Sequence, residues 1–120
     1  MSLPVVVAAV ALVAAAPPSS NERILTARQS QRLVDYATAL GTCLRRSSIP
    51  VSSPHVTQKL ITLVVQRRSS QREVVQAGLR CGARIGDPPL ESSLQGFADR
   101  VVLYVPKQCL IDPHVARKAN

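Results

Sequence analysis

The stretch Met1 to Ala16, MSLPVVVAAVALVAAA, constrains this chain most, because it bears on the compartment in which everything after it folds. Val5 to Ala16 carries no charge and no side-chain hydrogen-bonding group, and Pro17, Pro18, Ser19 and Ser20 follow at once. A bilayer-spanning helix needs about twenty such residues, so no transmembrane span is expected, and the length suits the apolar core of a secretory signal. Val13 to Ala16 are small, as a cleavage region requires, and a cut after Ala15 or Ala14 avoids the obstruction that Pro17 sets directly after Ala16. No Lys or Arg precedes the run, which leaves an Ala/Val-rich disordered leader or a misassigned start as the alternative. The chain therefore reads as a leader over 1–16, a linker over 17–21, one helical domain over 22–111 and a mobile basic tail over 112–120.

If the domain folds in an oxidising compartment, its three cysteines matter. Cys43, Cys81 and Cys109 lie far apart with no C-x-x-C pair, so two are expected to bridge and one to remain over. Cys43 and Cys81 are the favoured pair, each falling near the C-terminal end of an expected helix. With no Trp and only Tyr36, Phe97 and Tyr104 as aromatics, the core must be built from Leu, Ile, Val and Ala. That composition leans towards packed helices.

Periodicity supplies four of them. The first runs from Glu22 to about Arg46, with Ser19 and Glu22 at capping-box spacing and Leu33, Tyr36, Ala37, Leu40, Cys43 and Leu44 on one face. After the loop SSIPVSSP, Ser53 and Pro54 have the look of an N-cap and first helical residue, so 60–65 is read as helix, with a strand as the alternative. Ser70 and Glu73 repeat the capping box ahead of a third helix that Gly82 would end. Asp87 with Pro88 and Pro89 would open a fourth, whose stripe Leu90, Leu94, Phe97, Val101 and Tyr104 runs to Pro106; here too 101–105 could be a strand. The expected fold is all-α, a small bundle of about four short helices tied by one disulfide.

Fifteen Lys and Arg against seven Asp and Glu give a net charge of +8, which attracts anions such as nucleic acid, anionic lipid head groups or acidic proteins without selecting among them. Arg68, Arg72, Gln76, Arg80 and Arg84 fall four apart, an anion-binding ridge if one helix carried them all, although a solvated face explains the same spacing. A helix-turn-helix over Val56 to Leu79, with Gln71 and Arg72 opening the recognition helix, would make nucleic acid the partner, but the turn lacks its glycine. Cys43, Cys81, Cys109, His55 and His114 do not make a tetrahedral set, so no metal is expected. Cys81 beside Arg80 and Arg84, or Cys109 with His114, could be imagined as nucleophiles, yet no phosphate loop or nucleophile elbow accompanies them. No catalytic residue and no cofactor is expected. The reading is of a small, basic, exported protein, periplasmic or secreted, with a non-enzymatic binding or structural role; the alternative is a cytosolic nucleic-acid binder using the arginine face.

Overall fold

A computed structural model describes residues 21–120, so the leader, most of the linker and Ser19 lie outside the described residues, and nothing described supports an export signal. The all-α helical bundle is overturned. Over the described residues the fold is mixed α/β: three α-helices and six strands, in the order β1 (Arg23–Ile24), α1 (Ala27–Arg46), β2 (His55–Val56), β3 (Leu60–Val64), α2 (Gln71–Ile85), β4 (Ser93–Gly96), β5 (Arg100–Tyr104), β6 (Cys109–Leu110) and α3 (Pro113–Ala119). An antiparallel sheet is ordered β2-β3-β5-β4, and β1 pairs with β6 in parallel.

Two of the expected helices became strands. In Leu60–Val64, Ile61 and Leu63 are buried while Leu60, Thr62 and Val64 are not, an alternation of two that only a strand satisfies. Thr57 turns the chain into β3: its hydroxyl donates to the Leu60 carbonyl at 3.1 Å and accepts from the Leu60 amide at 3.2 Å. The expected fourth helix is cut in two by a tight turn at Ala98 and Asp99, closed by the Phe97 amide on the Arg100 carbonyl at 2.8 Å. Its halves pair as β4 and β5, Leu94 facing Leu103 and Gly96 facing Val101. The β-branched residues of RVVLY fit this central strand better than a helix, because cross-strand neighbours reward their shape.

The helices keep one face of the sheet dry. Leu33, Ala37, Ile61, Leu103, Ile111 and Val115 pack beneath the first half of α1 and beneath α3. Leu40, Leu44, Leu63, Val74, Ala77 and Val101 pack beneath its second half and α2. The other face carries Thr62, Val64, Arg100 and Tyr104, with the Arg100 guanidinium 4.0 Å from the Phe97 ring centre.

Helix ends obey local rules, at places only partly foreseen. α1 starts seven residues after the Ser19 box, on a second box in which Thr26 and Gln29 satisfy each other's amides at 3.0 Å. For α2, Ser70 and Glu73 form the reciprocal pair at 2.9 and 3.1 Å. The helix runs through Gly82 and ends at Gly86, whose φ of 90° suits glycine. The tail is not loose. Asp112 caps α3 by accepting from the His114 amide at 2.8 Å, Val115 and Ala116 are buried, and the Asn120 side chain bonds both backbone groups of Val56 at 2.7 and 2.8 Å. Buried Ser30 on α1 accepts from the Asp112 amide at 2.9 Å and ties the tail to the body.

Cys43 and Cys81 form a disulfide across 38 residues, joining the last turns of α1 to α2, while Cys109 is free and buried. Loop closure of this length is worth about 3 to 4 kcal/mol. Urea unfolding with and without reductant should show that loss as a lower midpoint; equal midpoints would contradict it. A smaller effect follows from the α2 cap. Ser70→Ala should cost about 1 kcal/mol in the same assay. The Ser70 amide and hydroxyl, with Arg67 nearby, hold the Glu73 carboxyl below its usual range. The contribution of that carboxylate is therefore complete above the ordinary glutamate range and is lost as pH falls through the depressed value, a dependence that Ser70→Ala should reduce only in part because the backbone amide remains.

Candidate functional site

Helix α2 packs thinly. Val74, Ala77 and Cys81 are its buried residues, a narrow stripe of small side chains. Next to that stripe, on the side towards β4, the helix carries Gly78 and Gly82, and a β-carbon at either would meet no atom within 4 Å. Beyond them stand Val75, 38% exposed, and Leu79, 70% exposed. A glycine within a helix costs about 1 kcal/mol relative to alanine. Close approach explains Gly96, where an added β-carbon would lie 3.2 Å from a Val75 methyl. No neighbour explains Gly78 and Gly82.

What these two glycines border is a groove of about 470 Å³. Its floor is Leu40, Val74 and Val101; one wall is α2 from Val75 to Ala83, and the other is β4 with Ser92 just before it. At one end the walls meet, where Gly96 abuts Val75 and the Gln71 side-chain amide donates to the Gly96 carbonyl at 3.1 Å. At the other end Tyr36 donates its hydroxyl to the Gly86 carbonyl at 2.8 Å, beside Asp87. Partial burial, and then the Asp87 charge, raise the Tyr36 pKa, so its hydroxyl stays a proton donor well above neutral pH. Ligand sites of ~300–1,000 Å³ with mostly apolar walls and a few polar groups are the usual form of a binding pocket.

The residues singled out from sequence lie elsewhere. Arg72, Arg80 and Arg84 are exposed on α2, but Arg68 precedes the helix, so the five-residue ridge is not one line. Each step of four turns about 40° further round a helix, which leaves Arg72 beside Leu79 and carries Arg84 away from it. The helix-turn-helix has no first helix, because 55–64 is spent on β2 and β3. Cys81 is bonded to Cys43 and cannot act as a nucleophile; Cys109 is buried and His114 exposed. Among the described residues no group of His, Cys, Asp or Glu is arranged to hold a metal ion, and no helix is long and apolar enough to cross a membrane.

The sequence reading missed the groove, since it took Gly82 as the stop of the third helix. The signal was there in Gly78-Leu79-x-x-Gly82: two glycines on one side of a capped amphipathic helix, with a leucine off its buried stripe. No family model matches this chain, and no curated protein or solved structure matches it.

Proposed function

We propose that this is a non-enzymatic binding protein whose ligand places an apolar group in the groove between α2 and β4. The observation that carries the reading is the pair Gly78 and Gly82, which weaken their helix and face open space instead of a packed neighbour. Leu79 beside them is the kind of exposed apolar side chain that gains on being covered, about 1.5 to 3 kcal/mol for full burial. The Cys43–Cys81 bond supports an oxidising, extracytoplasmic setting, since such bonds persist where thiols are not kept reduced. An extracellular location is compatible with that bond and with the lack of a membrane-crossing helix among the described residues.

The glycines make the test two-sided. Gly82→Ala should stabilise α2 by up to about 1 kcal/mol, because the new methyl meets nothing. Gly82→Leu should fill the groove and weaken binding of the neutral apolar dye N-phenyl-1-naphthylamine by about tenfold or more, with Leu79→Asp acting in the same direction. Dye binding that ignores both substitutions would refute the site.

A further inference from the structure

The occupant can be specified further from the backbone of the groove's second wall. We propose that it is an extended, acidic segment of another protein, which adds to the free edge of β4 as a fifth strand; this rests on the groove being the binding site.

Among the described residues, strand β4 has β5 on one side and no strand on the other. Antiparallel pairing alternates, so that every second residue turns both backbone groups to its partner and the rest turn theirs away. The phase is fixed by the Phe97 amide on the Arg100 carbonyl: Phe97, Gln95 and Ser93 face β5, and Leu94 and Gly96 face outward. The Gln71 amide on the Gly96 carbonyl agrees with this, since a carbonyl turned to β5 would be out of its reach. The amide and carbonyl of Leu94 open on the trough whose opposite wall is α2, whereas the Gly96 carbonyl is held by Gln71 at the end where the walls meet. An edge strand beside a helix, with a groove between them, is the arrangement in which an extended peptide gains main-chain hydrogen bonds and drops alternate side chains into the groove. Here the inward side chains of the added strand would pass over Gly78 and Gly82 and lie between Leu79 and Leu94.

Charge selects the partner. A second copy of the chain would bring another +8, which opposes pairing edge to edge. An acidic segment is favoured, and Arg72 fixes its polarity: it lies one turn from Val75 and two from Leu79 on the same stripe, at the end of the groove where Gln71 meets Gly96. Asp87 lies at the opposite end, so the carboxylates of the partner belong at the Arg72 end.

Labelled peptides provide the test. One alternates valine with threonine and ends in three aspartates; the second has the same composition with its valines contiguous; the third ends in three lysines. Fluorescence anisotropy should show the first binding about tenfold more tightly than either of the others. Its addition should shift the amide resonances of Leu94 and Gly96, and Arg72→Glu, at an exposed position, should weaken it about threefold, the size of an exposed ion pair. Equal binding of the alternating and contiguous peptides, equal binding of the lysine peptide, or unmoved Leu94 and Gly96 amides would each overturn the proposal. So would a dimer in light scattering that the alternating peptide does not dissociate, which would give the edge to a second copy. If N-phenyl-1-naphthylamine binds and no peptide does, the strand is wrong and the groove stands; if neither binds, both are wrong.

Discussion

The bond between Cys43 and Cys81 is the constraint on which the arrangement of this molecule turns. Helix α2 has only valine, alanine and cysteine side chains in its buried stripe, and such small groups contribute little area to hold a fifteen-residue helix on a sheet. Fixing one edge of α2 covalently to α1 removes the need to pack the other edge. That other edge is the one left as a groove.

A trade of this kind is coherent with the rest of the fold. α1 is anchored along its whole length by Leu33, Ala37, Leu40 and Leu44, and α3 is held by buried Val115 and by the Asn120 side chain on Val56. These elements form a closed core that does not need α2's exposed face. Gly78, Gly82 and Leu79 are thus free to be unfavourable in the isolated chain. Native proteins tolerate such local costs mostly where a site is built.

How much of this was legible in the sequence follows from how local each signal is. The Ser70–Glu73 box was readable because both partners lie within one turn, and Cys43–Cys81 was the favoured pairing because each cysteine falls near the C-terminal end of an expected helix. The start of α1 was misplaced because Ser19 and Glu22 show the same spacing as Thr26 and Gln29, and spacing alone cannot say which pair is used. LITLV and VVLYV were misread as helix because β-branched residues mark a strand only when a partner strand is present, and β3 finds its partner about forty residues on. The tail was read as mobile because its order depends on Asn120 meeting Val56, far away in the chain. The groove is written in the sequence only as the Gly78 and Gly82 pair off the buried stripe of α2; that β4 forms the facing wall depends on the tertiary fold.

The most direct measurement is native-state hydrogen exchange on the variant carrying both Cys43→Ser and Cys81→Ser, compared with the oxidised protein. The account predicts that amides of Gln71–Ile85 lose protection first and most, while those of α1 and of β3 and β5 keep it. Protection of α2 that is unchanged, or that falls in step with every other element, would contradict the idea that a covalent tether stands in for packing on the groove side.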